Sequence, residues 1–206
     1  LKKQLNCLMK KKLDGFFKKK ASKPRSVFGN IDMIRLGLTG GIATGKSSVC
    51  QMMVQAGSIL IDADVIAHQV IAKGQPAYEE VVAAFGFDIL ATDKNIDRKK
   101  LGKKVFTSPE LRNKLNSIIH PYVRHKIQKL THEYVQQEKK AQTNYLIVYD
   151  IPLLIESNLS HLVDVTLVIY STQKQQLERL MERNQLTEAE ALLRIQSQIP
   201  IEDKVR

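Results

Sequence analysis

The apolar positions of this chain fall into short uninterrupted runs separated by stretches of helical period. Ile34, Leu36 and Leu38 read as a buried strand, and the pattern then changes to a helix from about Lys46 to Ala56, ended by Gly57. Ser58 to Ile61 gives a second short strand, followed by Asp62-Ala63-Asp64 and a helical stretch through Ile71. Another helix is expected over Pro76 to Phe85. Residues 97–139 show no strand pattern. Within them Ser108-Pro109-Glu110 sets an N-cap before a proline at the first helical position, and His120-Pro121 marks a junction between two helices. Tyr145 to Tyr149 and Val163 to Tyr170 are β-branched-rich and uninterrupted, as strands covered on both faces should be. Thr172 with Gln175, and Thr187 with Glu190, each match a capping box, so two helices follow the fourth strand. Strands separated by helices predict an α/β fold, a parallel sheet with helices on both faces, carrying a helical insertion.

Composition narrows the class. At 206 residues, 43% hydrophobic and 26% charged, the chain has the balance of one soluble globular domain. No apolar run approaches the roughly 20 residues of a membrane span. Cys7 and Cys50 have neither pairing nor metal-ligand spacing, which fits a reducing cytoplasm. The formal charge of +11 is unevenly placed. Residues 1–32 hold ten Lys and Arg against two Asp, a net of +8, which leaves +3 for residues 33–206. The first 32 residues read as a basic, disordered extension upstream of a start at Met33, with a membrane-surface helix, an RNA-binding helix or a presequence as the alternatives. The near-neutral body offers no basic stripe and predicts no obligate nucleic-acid partner.

Between the first strand and its helix lies Gly40-Gly41-Ile42-Ala43-Thr44-Gly45-Lys46-Ser47, which satisfies the phosphate-loop pattern G-x-x-x-x-G-K-[ST]. Gly40 and Gly45 permit backbone angles and close approach denied to other residues, so that successive N–H groups face phosphate oxygens. Lys46 reaches for the β and γ phosphates, the Ser47 hydroxyl for Mg²⁺, and the helix contributes its positive N-terminal end. No N-K-x-D guanine signature occurs, so ATP is the expected nucleotide.

The acceptor must be read elsewhere. Asp64 and Asp62 follow the second strand, where either could take the proton of an attacking hydroxyl or cap the next helix. Asp150 follows the third strand, placed to hold Mg²⁺ or to serve as a plain turn residue. Arg179 and Arg183 lie one helical turn apart and could close over transferring phosphates, or form a solvated face with Glu178 and Glu182. His120 is a structural or substrate-binding candidate, and His68, His125, His132 and His161 form no metal-ligand constellation.

Taken together, these segments resemble the dephospho-CoA kinase family from Met33 to Arg206. Leu38-Thr39-Gly40-Gly41-Ile42-x-x-Gly45-Lys46-Ser47 is similar to its phosphate loop and Ile61-Asp62-Ala63-Asp64-x-Ile66-Ala67-His68-x-Val70 to its second signature. Leu115-Asn116-x-Ile118-x-His120-Pro121 resembles its insertion motif, and Asp150-Ile151-Pro152-Leu153-Leu154-x-Glu156 the segment after its third strand. The resemblance implies transfer of the ATP γ-phosphate to the ribose 3′-hydroxyl of dephospho-CoA, the last step of coenzyme A synthesis. It implies Asp64 as general base, with Lys46 and Arg183 as further catalytic residues. ATP would lie on Gly41, Ile42, Ala43, Thr44, Gly45, Lys46, Ser47 and Ser48. Asp62, His120, Pro152, Leu153 and Leu154 would face the acceptor, and Ser47 and Asp150 would hold Mg²⁺. The insertion is expected over about 66–140 and a lid over about 174–200. Two departures stand out: Ala43 replaces a glycine common in the family, and the sequence stops at Arg206, before an expected last strand and helix, which reads as a truncation.

Overall fold

The computed structural model describes residues 34–141 and 146–205, with side chains from 138 to 141 excepted. The basic extension over residues 1–32 and the proposed start at Met33 lie outside the described residues. The chain divides into two compact units, one of residues 62–134 and one of the remainder.

In the larger unit, β1 (Ile34–Gly40), β2 (Ile59–Asp62, whose last residue belongs to the other unit), β3 (Leu146–Asp150) and β4 (Val165–Ile169) form one sheet in the order β2-β3-β1-β4. Central β1 runs parallel to both neighbours, with Leu36 opposite Val148 and Leu38 opposite Leu167. Since successive strand residues point to opposite faces, Leu36 and Leu38 share one side and Gly37 and Thr39 the other. The first side is covered by α1 (Lys46–Gln55), whose Cys50 and Met53 pack with Leu36, Leu38 and Val148 into one apolar cluster. The second side carries the turn after β3. After β4 come α6 (Gln173–Asn184) and α7 (Glu188–Gln196), each opened by the capping box read from the sequence, and then α8 (Ile201–Val205).

The smaller unit holds α2 (Ala63–Val70), α3 (Pro76–Phe85) and α4 (Arg98–Thr107), together with most of α5 (Pro109–Ala141). Val81, Phe85, Ile89 and Leu101 form its core, joined by Leu115, Ile118 and Ile119 of α5. The expected break at His120-Pro121 does not occur, for α5 continues through Pro121. A proline inside a helix removes one hydrogen bond and costs about 3 kcal/mol. Here the apolar residues before it are packed into the unit's core, and Ile127 beyond it is buried, so one helical period is held on both sides.

Charge within this unit is less even than the body's small net value implies. From Arg98 to Lys129 there are ten Lys and Arg and a single acid, Glu110. All lie on α4 and α5. Among the described residues no helix is long and apolar enough to cross a membrane.

Candidate active site

The phosphate loop starts where β1 ends. A Cβ on Gly40 would stand 2.8 Å from both the Ile169 carbonyl oxygen and Thr44 Oγ1, so only glycine lets the loop turn this close to β4. Thr44 is buried and closes the turn, its hydroxyl donating to the Gly41 carbonyl at 2.9 Å. Gly45 caps α1 with φ of 97°, and Ala43 also sits in the left-handed region with φ of 59°. Ser47 and Ser48 are exposed on the first helical turn, where backbone N–H groups and the helix dipole favour an anion.

Lys46 and Asp150 form an ion pair whose side chains are only 17% and 9% exposed. Asp150 is the last residue of β3, and its other carboxylate oxygen accepts from the Cys50 thiol at 3.1 Å. Lys46 and Cys50 are four residues apart on α1, so one face of the helix supplies both donors. The structure thus brings Lys46 and Asp150 together, with Ser47 on the helical turn that begins at Lys46. The Cys50 thiol is an addition that spacing did not announce.

The loop is held from outside by side chains distant in sequence. Ile42 donates its backbone N–H to Gln198 Oε1 at 2.8 Å, while its carbonyl accepts from Gln176 Nε2, also at 2.8 Å. Arg179 Nη1 lies 3.4 Å from the carbonyls of Ala43 and Thr44. Arg183 stands one turn farther along α6 and donates to Asn184 Oδ1 at 2.9 Å. Of the two arginines it is therefore Arg179 that reaches the loop. Nothing in local spacing singled out Gln198, which acts across 156 residues.

The segment after β3 is stitched to the end of β1. Ile151 N donates to the Leu38 carbonyl at 3.0 Å and Thr39 Oγ1 to the Pro152 carbonyl at 2.8 Å. Leu153 is 47% exposed, but Leu154 has no exposed surface and packs under Gly37, where an added Cβ would meet its Cδ2 at 2.7 Å. Leu154 is thus a core side chain that fixes the turn, while Leu153 faces solvent.

In the smaller unit Asp62 ends β2 and caps α2, its carboxylate accepting from Val65 N at 2.9 Å. The choice left open by the sequence is settled for the cap, which is Asp62. Asp64 falls within the first helical turn. His120 is half-buried on α5. Desolvation, reinforced by Arg124 one turn away, holds its pKa below the ordinary histidine value and keeps the ring neutral near pH 7. Among the described residues there is no cluster of three or more His, Cys, Asp or Glu suited to a metal ion.

The comparisons with known proteins agree with this geometry. The family model for dephospho-CoA kinase matches residues 34–206. A dephospho-CoA kinase from Bacillus thuringiensis subsp. konkukian is 48% identical over 171 residues, covering 83% of each chain. One from Listeria monocytogenes is 45% identical over 171 residues, again with 83% of each covered. Among solved structures, a dephospho-CoA kinase from Campylobacter jejuni has a TM-score of 0.55 at 32% identity over 84% of each chain. The protein TT1252 from Thermus thermophilus has a TM-score of 0.66 at 28% identity over 83% of each. The chain belongs to the dephospho-CoA kinase family.

Proposed function

We propose that the chain transfers the γ-phosphate of ATP to the ribose 3′-hydroxyl of dephospho-CoA, giving coenzyme A and ADP. The observation that carries this reading is a fully formed phosphate loop in a chain whose family match begins at β1 and runs through α8. In the transfer, the 3′-oxygen forms a bond to the γ-phosphorus as the bond to the β,γ-bridging oxygen breaks. ADP leaves with that electron pair. The hydroxyl proton passes to the carboxylate of Asp64, which the family resemblance nominates as general base.

Lys46 exchanges Asp150 for the β and γ phosphate oxygens, and the rest of the triphosphate lies on loop amides other than those of Ile42, Thr44 and Ser48, which are given to Gln198, Gly41 and Gly45. Arg183, which donates to Asn184 Oδ1, is the lid residue that would meet the charge of the transferring group. The family resemblance assigns Asp62 and His120, and likewise Pro152 and Leu153, to acceptor binding. A hydroxyl at Ser47 and a carboxylate at Asp150 are hard oxygen donors of the kind Mg²⁺ takes alongside phosphate oxygens and water. When bound there, the ion would neutralise charge on the phosphates. A reducing cytoplasm suits a buried thiol held on a carboxylate.

A turnover assay with dephospho-CoA, adenosine, shikimate and nucleoside monophosphates tests the substrate. Activity on any of the other three without dephospho-CoA refutes the assignment. Asp64→Asn is expected to leave ATP affinity nearly intact and to lower turnover by about 10²- to 10⁴-fold, the usual share of a general base. Full turnover in that variant removes Asp64 from the chemistry.

A further inference from the structure

The last three residues of β1 are each connected to the segment that follows β3, and the third connection is of a different kind. Leu38 and Thr39 bond directly to Ile151 and Pro152. The Gly40 carbonyl instead lies 3.5 Å from Lys204 Nζ, which in turn is 2.5 Å from Glu156 Oε1. The Lys204 side chain has no exposed surface and that of Glu156 only 18%. An ammonium from α8 thus stands between the first residue of the phosphate loop and the turn that carries Pro152 and Leu153. Six residues earlier, Gln198 of the same C-terminal stretch holds Ile42.

Burying two charges is a poor route to stability, since apolar side chains of equal volume commonly do as well or better. What a buried pair supplies is a defined distance and direction. Here it registers the Pro152–Asn158 turn against Gly40, and with it the acceptor side of the reaction against the phosphate side. In-line transfer needs its reacting atoms about 3 to 3.5 Å apart, and displacement by about 1 Å can cost about 10²-fold in rate.

We propose that the Lys204–Glu156 pair is a lock holding the turn after β3 in register with the phosphate loop, and that both are positioning residues for phosphoryl transfer. The proposal rests on the acceptor reading given above for Pro152 and Leu153. It gives a role to the C-terminal helix that no motif reveals, because Lys204 acts across 164 residues on Gly40.

The test compares the full chain with Lys204→Met, Glu156→Gln and the double variant, which leaves no unpaired buried charge. Peptide-level hydrogen exchange is read without substrates, kcat with dephospho-CoA, and the Kd of ADP by calorimetry. The lock predicts faster exchange in both 36–45 and 150–158 with α6 unchanged. It also predicts kcat lowered by about 10- to 100-fold, ADP affinity held within about threefold, and a double variant no worse than the poorer single one. A folded double variant with parental exchange in 150–158 and kcat within about twofold of the parent overturns the proposal. If that variant does not fold, Glu156→Asp, which keeps both charges and shortens the reach, carries the same two outcomes. A parent inactive on dephospho-CoA refutes the acceptor reading alone, and the exchange pattern then decides the lock.

Discussion

Asp164→Asn isolates one tie between the start of β1 and the entry to β4. The Arg35 guanidinium donates to both carboxylate oxygens of Asp164, at 2.7 and 3.1 Å, and the Arg35 backbone N–H adds a third bond at 2.9 Å. Asp164 N closes the ring on the Arg35 carbonyl at 2.8 Å. With the two side chains 21% and 28% exposed, the pair is worth more than an open surface bridge and less than a fully buried one. Asparagine keeps the shape and loses the charge and one bidentate arm, so the cost is about 1.5 kcal/mol, and the melting temperature falls by about 3 to 6 °C for a chain of this size. Desolvation pushes the Asp164 pKa up, but the bonds and charge of Arg35 outweigh it and hold the pKa below the ordinary 3.8. A depressed carboxylate contributes stability that is present above its unfolded pKa and lost as pH falls through the folded one. Urea unfolding of parent and variant should therefore show a constant gap from pH 8 to about pH 5, narrowing below about pH 4. The raised pKa of Arg35 titrates far above this window and leaves it unchanged. A gap at pH 7 below about 0.3 kcal/mol, or one that widens in acid, would refute the reasoning.

Two further outcomes follow from positions already described. Ala43 at φ of 59° carries the penalty of a left-handed residue, about 1 to 2 kcal/mol, against which glycine loses roughly 0.4 to 1 kcal/mol in the unfolded chain. Ala43→Gly should raise the melting temperature by about 1 to 4 °C in a calorimetric scan, and a fall would mean that the alanine is unstrained. The cationic run on α4 and α5 should speed capture of an anionic acceptor, so kcat/KM for dephospho-CoA should drop severalfold between about 50 and 300 mM salt. Reversing the charge of exposed Lys99 and Lys103 should reproduce that drop at low salt while kcat stays near the parental value, and a kcat/KM insensitive to both changes would reject the steering.

What the sequence made legible is what is local. The phosphate loop, both capping boxes and the helix over Pro76–Phe85 depend on residues within a few positions of one another, and each stands where the pattern put it. Two carboxylates two residues apart at the end of β2 look alike in spacing, and only the bond from Asp62 to the Val65 amide separates them. His120-Pro121 misled for the opposite reason. The proline rule is local and the packing that overrides it is not, since Leu115, Ile118 and Ile119 are held by residues of α3 and α4. The basic run from Arg98 to Lys129 was hidden by averaging over the whole body, where distant acids cancel it. Contacts across 100 to 164 residues, from Cys50 to Asp150 and from Lys204 to Gly40, leave no periodicity to read.

The Lys46–Asp150 pair shows how such contacts turn a motif into a site. A phosphate-binding ammonium must be largely desolvated to act strongly, yet a desolvated ammonium without a partner costs several kcal/mol. Asp150, at the end of the neighbouring strand, removes that cost before nucleotide arrives, and the Cys50 thiol engages the carboxylate oxygen that Lys46 leaves over. On the proposed reading a triphosphate would draw Lys46 from Asp150, and the buried carboxylate so released would need a cation such as Mg²⁺ between it and the phosphates. The lysine of the motif is therefore prepared by β3 as much as by its own loop. For the same reason the register of the turn after β3 bears on both the carboxylate that prepares Lys46 and the residues proposed to meet the acceptor.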